Sequence, residues 1–123
     1  MTSQPSVFEA SLGFVGDICL SMGVIDTVRR QGADFLFEEV RRSLEGLDLV
    51  IGNLESCITD EGPAEPPLRP PLNTPTDVAL ALQSSGIGIL NLANNHVMDF
   101  GEGGCALPWI IWTREVFVIS ARA

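Results

Sequence analysis

At 123 residues, 46% of them hydrophobic, the chain has the length of one domain and enough apolar side chains to pack a core. Its formal charge of -9 comes from sixteen acids against seven arginines, with no lysine, which excludes a phosphate-tracking nucleic-acid surface and favours attraction of divalent cations. No apolar run approaches the ~20 residues of a membrane-spanning helix, and residues 1–10 (MTSQPSVFEA) lack the basic start and apolar stretch of a secretory signal, so a product starting at Met1 is expected to be cytoplasmic.

Residues 1–10 read as an N-terminal segment ahead of a domain that begins at Ser11. The apolar run Ser11 to Val15 predicts a buried strand ending in a turn at Gly16-Asp17. Asp34 is a candidate cap for a helix through Glu45, with Leu36, Val40 and Leu44 recurring every four residues and Gly46 as the stop. Asp48 to Ile51 predicts a second strand that runs into a polar turn, Gly52-Asn53-Leu54-Glu55. From Asp60 to Thr76, six prolines fix φ and remove backbone donors, which predicts a rigid surface loop. Thr74-Pro75 then opens a helix over Val78 to Gln83, with Val78 and Leu82 facing inward and Gly86 as the stop. Ile87 to Leu92 predicts a third strand leading into Ala93-Asn94-Asn95-His96, and Val116 to Ile119 a fourth.

Strand, helix, strand, helix, strand, with connections long enough to cross over, implies an α/β fold: parallel-sheet layers with covering helices. In such sheets ligands bind beyond the carboxyl ends of the strands, and Asp17, Glu55 and the Asn94-Asn95-His96 triplet all fall there. Two carboxylates, an imidazole and amide oxygens are hard-to-borderline ligands suited to Mn, Mg, Fe or Zn. Two carboxylates held together without a cation repel one another, so a metal or an arginine is expected beside them, and Arg69 is the obvious arginine. A metal here would lower the pKa of its bound water. His96 would either ligate it or act as a proton donor to a developing oxyanion, and Asn53 and Asn95 would ligate or orient substrate.

Each residue also has a plainer role. Asp17 suits a turn cap, Glu55 a solvated loop acid, and Asn94 and Asn95 left-handed turn positions. A lone histidine is more often structural than a ligand, Asp99 before its glycines reads as the cap of a following helix, and Arg29-Arg30 and Arg41-Arg42 read as solvated faces. Cys19, Cys57 and Cys105 have no CxxC spacing and are expected to be reduced, mostly buried thiols. The coincidence of three polar motifs at three strand ends is what favours a site.

The segments GFVGDICL, DLVIGNLESCIT and GILNLANNHVMDFGEGG together resemble the capsule-synthesis CapA family, poly-γ-glutamate biosynthesis proteins related to calcineurin-like metallophosphoesterases. The resemblance covers Leu12 to Gly104. It implies a sandwich of two sheets between helices, a divalent metal site that is dinuclear in an intact homologue, phosphoester hydrolysis, and a part in making or exporting an acidic capsule polymer at the cell envelope. Asp17 resembles the first metal-binding aspartate, Glu55 with Asn53 stands in the second acidic motif, and Asn95-His96 resemble the Asn-His of the third. The aspartate-x-histidine form of related phosphoesterases is absent, because Cys19 stands where that histidine would be. His96 is the sole histidine, so later histidine-bearing motifs have no counterpart. Residues 11–123 therefore read as the N-terminal part of such a domain, an incomplete metallophosphoesterase-like sandwich with an atypical tail over 105–123.

In that tail, Pro108-Trp109-Ile110-Ile111-Trp112 shows no clear polar face and reads as a buried helix starting at Pro108 or, the preferred reading, as an exposed patch that a missing half of the domain would cover; a truncated or frameshifted gene would explain it. An incomplete sheet and uncovered tryptophans predict dimerisation or aggregation, or association with an envelope complex. The expected partner is a phosphorylated or anionic small-molecule or polymer substrate. The competing reading is a non-enzymatic metal- or anion-binding assembly module. A nucleotide-binding domain ranks last, since neither GxGxxG nor GxxxxGK[ST] is present.

Overall fold

The structure is a computed structural model that describes residues 9–62, 71–96 and 99–101 and the backbone of a strand at Phe117–Ile119. Four parallel strands form the main sheet in the order β1 (Leu12–Ile18), β2 (Leu49–Leu54), β5 (Ile89–Asn91), β6 (Phe117–Ile119). Two further short strands, β3 (Cys57–Ile58) and β4 (Asn73–Thr74), pair in parallel as a separate ribbon. The α/β arrangement with parallel strands is the one the sequence predicts.

One face of the main sheet is covered. Successive side chains of a strand point to opposite faces, so Val15 and Ile18 of β1, Val50 and Leu54 of β2 and Leu90 of β5 share one side. Val28 of α1 (Gly23–Gln31), Phe37 of α2 (Ala33–Leu44), and Val78, Ala79 and Leu82 of the α3 (Thr76–Ala79) and 3-10 (Leu80–Ser84) segment join the same core. Leu54, Leu82, Leu90 and Val78 are fully buried, each contributing about 1.5–3 kcal/mol through removal from water. The inward placement of Val78 and Leu82 agrees with the sequence reading.

Among the described residues the opposite face is less completely covered. Leu12 and Phe14 of β1 are 52% and 73% exposed, and across the register Leu12 lies beside Leu49 and Phe14 beside Ile51, which in turn neighbours Ile89. These rows are apolar and uncharged.

Both strands that reach the polar motifs run further than the sequence suggests. Gly16-Asp17 is not a turn, because β1 continues to Ile18 through an irregularity between Phe14 and Asp17 that places one extra residue in β1. Glycine at a bulge is the physical reason: it bends the strand without a side chain to place. Likewise Gly52-Asn53 belongs to β2 and pairs with Leu90 and Asn91. A Cβ on Gly52 would lie 2.5 Å from Ile18 Cδ1 and 2.8 Å from Val15 Cγ2, so close packing of β1 on β2, not turn formation, requires glycine there.

Other differences are local. α1 is an additional helix, entered at Met22 with φ of 53°. α2 starts at Ala33, so Asp34 sits inside its first turn and bonds Arg41 at 2.9 Å rather than capping the helix. Thr74 is buried in β4 rather than capping α3, and Asp60 Oδ1 instead accepts from the Thr76 N–H at 2.9 Å. The proline-rich stretch is thus not surface loop throughout, although residues 63–70, with Arg69, lie outside the described residues. Arg29 is not merely solvated: it grips Asp77 through two bonds of 2.8 and 3.0 Å, tying α1 to α3. That partner raises the pKa of Arg29 and lowers that of Asp77. Cys57 is disulfide-bonded, its partner outside the described residues, which corrects the expectation of three reduced thiols. Cys19 is free and only partly buried, with Sγ 3.0 Å from Ser21 Oγ. The apolar stretch 108–112 lies outside the described residues.

Candidate functional site

The bulge in β1 brings Asp17 level with Asn53, and the register of β2 on β5 brings Asn53 level with Asn91. The three stand in one row across the carboxyl ends of adjacent strands, on the face of the sheet opposite the core. Glu55 follows β2 directly, its N–H held by the Ile18 carbonyl at 2.9 Å. After β5 the chain turns through Asn94, Asn95 and His96, and Asp99 closes back on His96.

Backbone groups fix the orientation of the amides. The Ala93 N–H donates to Asn91 Oδ1 at 3.2 Å, so Asn91 turns its NH2 the other way, toward Asn53 Oδ1 at 2.9 Å. Asn94 Nδ2 donates to the Leu54 carbonyl at 2.8 Å, while Asn94 Oδ1 accepts from the His96 N–H at 2.9 Å. The same Asn94 Nδ2 reaches Asn53 Oδ1 at 3.2 Å. Two donors therefore meet the Asn53 carbonyl, and its NH2 has to face the carboxylates. It donates to Asp17 Oδ1 at 2.8 Å and to Glu55 Oε2 at 2.6 Å. All four hydrogen-bonding positions of the Asn53 amide are filled.

His96 sits between two acids. Its Nδ1 is 2.7 Å from Asp99 Oδ2, and its Nε2 is 3.6 Å from Glu55 Oε1. These side chains are shielded, with exposures of 12% for His96, 20% for Glu55 and 9% for Asp99. Asp99 Oδ2 also accepts from the Leu72 N–H at 3.2 Å, which anchors the cluster to the chain just ahead of β4.

Asp17, Asn53, Glu55 and His96 are thus joined through a continuous set of contacts, as the sequence motifs suggested. Asn95 is exposed, and among the described contacts it is the neighbouring Asn94 whose amide enters the network. Asn91 was hidden from sequence reading because it lies inside an apolar strand. Asp99 faces the His96 ring, and the helix that the sequence reading had it cap lies outside the described residues; the H-x-x-D spacing was the signal available for its contact with His96.

The arrangement concentrates negative charge. Among the described residues no arginine touches Asp17 or Glu55; Arg29, Arg41 and Arg42 pair elsewhere. The donors suit a hard or borderline divalent cation, yet among the described residues no three carboxylate, imidazole or thiolate side chains close around one point as a complete metal site would. They fit part of a coordination sphere.

An α/β domain with a carboxylate, amide and imidazole cluster at the carboxyl ends of its parallel strands is the class of protein that fold and site define. The chain belongs to the bacterial capsule synthesis protein family PGA_cap, whose family model matches residues 11–110. It is 32% identical over 101 residues to the capsule biosynthesis protein CapA of Bacillus anthracis, covering 78% of this chain and 24% of that protein. It is 33% identical over 104 residues to the PGA biosynthesis protein CapA of Bacillus subtilis (strain 168), covering 84% of this chain and 27% of that protein. The chain spans about a quarter of the length of these relatives. Among the described residues no helix is long and apolar enough to cross a membrane.

Proposed function

We propose that this chain carries part of a divalent-metal site that serves phosphoester hydrolysis in the synthesis of an acidic capsule polymer such as poly-γ-glutamate, at the cell envelope. The observation that carries the reading is the pair Asp17 and Glu55, which share one neutral NH2 group from Asn53 and, among the described residues, touch no arginine. Two carboxylates so placed gain most from a cation. Asp17, Glu55 and His96 Nε2 would hold Mn, Mg, Fe or Zn, with the remaining ligands supplied from beyond these residues. A metal in this place would bind a phosphoryl oxygen and acidify a water molecule. Asn53 spaces the two carboxylates, Asn95 would ligate or orient a phosphorylated substrate, and His96, where its Nε2 does not ligate the metal, would instead hold or donate a proton there.

A non-enzymatic reading is favoured by one observation, that the described residues do not complete a coordination sphere. On that reading the cluster holds a metal or an anionic ligand within an envelope assembly and turns nothing over. Mn²⁺ titration of the purified chain by calorimetry, followed by hydrolysis of an aryl phosphate with Mn²⁺ present, separates the two. Binding lost in Asp17→Ala together with turnover lost in His96→Ala supports the hydrolase. Binding without turnover supports the module, no Mn²⁺ binding overturns the hydrolase, and a chain that binds neither Mn²⁺ nor inorganic phosphate overturns both.

A further inference from the structure

We propose that Cys57 forms its disulfide with Cys105 and that this bond ties together the two segments carrying the polar cluster, so that the cluster assembles fully only in an oxidising compartment. The proposal stands whether or not the cluster holds a metal.

The chain has three cysteines. Cys57 is disulfide-bonded and Cys19 is free, which leaves Cys105 as the partner within the chain. Cys57 opens β3, just after Glu55, and Cys105 follows Asp99 closely in sequence. The bond therefore joins the segment after β2, with Glu55, to the segment after β5, with Asn94, His96 and Asp99. The same two segments already meet through Leu72. The Cys57 N–H donates to the Leu72 carbonyl at 2.9 Å, and the Leu72 N–H donates to Asp99 Oδ2 at 3.2 Å. Leu72 leads into β4, and β3 and β4 pair over only two residues each. A ribbon that short is marginal by itself, so a covalent anchor at Cys57 decides how firmly Glu55 and Asp99 are held relative to each other. Closing a loop of roughly fifty residues also removes conformational freedom from the unfolded chain.

Cys57 is 3% exposed, so external thiols reach it poorly once the chain is folded, and the bond acts as a permanent tie. Making it from two thiols releases two electrons and two protons, which the disulfide form of an oxidoreductase or of a small thiol accepts on becoming a dithiol or a pair of thiols. Such bonds persist outside the reducing cytosol. The disulfide thus argues against the cytoplasmic expectation drawn from residues 1–10 and agrees with the envelope placement proposed above.

Peptide mapping of the full chain without reductant should recover Cys57 and Cys105 in one cross-linked pair of peptides. Cys57 joined to Cys19, or to a second chain, overturns the proposal. The effect on the cluster is read at His96, the single histidine, whose ring gives one set of signals in a ¹⁵N-histidine-labelled chain. Refolding in excess dithiothreitol should move those signals and lower the urea midpoint. Cys105→Ser should reproduce both changes without reductant, and Cys19→Ser should produce neither. A reduced wild-type chain that fails to fold upholds the dependence on oxidation. A reduced chain whose His96 signals match those of the oxidised chain overturns it, even with a lowered midpoint, because the cluster then assembles without the bond.

Discussion

Asn94 sets the orientation of Asn53 across 41 residues of sequence: its NH2 group reaches both the Asn53 side-chain oxygen and the Leu54 carbonyl, leaving Asn53 only its own NH2 to offer the carboxylates. Asn94→Ala removes these bonds and the acceptor of the His96 N–H together. Loss of partners for shielded backbone groups should cost about 1–3 kcal/mol. Urea unfolding followed by circular dichroism reads this as a lower midpoint at unchanged slope, and a change under about 0.5 kcal/mol would count against Asn94 holding these groups together.

Asn53→Asp is a sharper probe of the charge balance. It replaces the one group that donates to both Asp17 and Glu55 with a third carboxylate. The variant should lose about 2 kcal/mol or more in chelator, and regain much of it in millimolar Mn²⁺. Equal loss with and without Mn²⁺ would mean that the three carboxylates do not share a cation.

Gly52→Ala should be destabilising by about 1–3 kcal/mol, since the new methyl overlaps Ile18 and Val15 in the packing of β1 on β2. Gly16→Ala, where no atom lies within 4 Å of the added Cβ, is the control and should cost much less in the same unfolding experiment.

Acid should weaken the fold in a definable window. Asp48 accepts from the N–H and hydroxyl of Ser11, which lowers its pKa, and Asp60 and Asp77 are lowered by Thr76 and Arg29. A depressed carboxylate contributes stability above its unfolded pKa and loses it as pH falls through the folded value, so the loss falls below about pH 4. Arg29, with its pKa raised, is charged throughout this range and adds no slope. Asp48→Asn should flatten the dependence of the urea midpoint on pH between 5 and about 3, and an unchanged slope would remove Asp48 from the account.

Cys19 should react with a thiol reagent in the native chain, whereas Cys57 should do so only after reduction. Mass spectrometry of alkylated peptides distinguishes the two, and alkylation of Cys57 without reductant would contradict the disulfide.

The sequence shows the three main strands because each centres on an apolar run, and their parallel order because the connections are long. It shows the places of Asp17, Glu55 and His96 because strand ends in such folds carry function. What it obscures has local causes. Glycine before a polar residue reads as a turn, so β1 and β2 were expected to end before the residues that form the polar row. The helix Gly23–Gln31 carries β-branched Val24, Ile25, Thr27 and Val28 and has no side-chain cap, so propensity alone does not mark it. The ribbon of β3 and β4 is two residues per strand, too short for any periodicity, and half of it lies at the end of the proline-rich stretch. Asn91 and Asp99 became visible only when register and hydrogen bonds placed them beside motifs already suspected.

The apolar rows of Leu12, Phe14, Leu49, Ile51 and Ile89 end where Asp17, Asn53 and Asn91 begin, one register step further along the same face. Any layer of polypeptide that settles on those apolar rows becomes the wall of the polar cluster. Covering the sheet then also lowers the local dielectric around Asp17 and Glu55, so that their repulsion for one another, and their attraction for any cation offered to them, would strengthen with that cover.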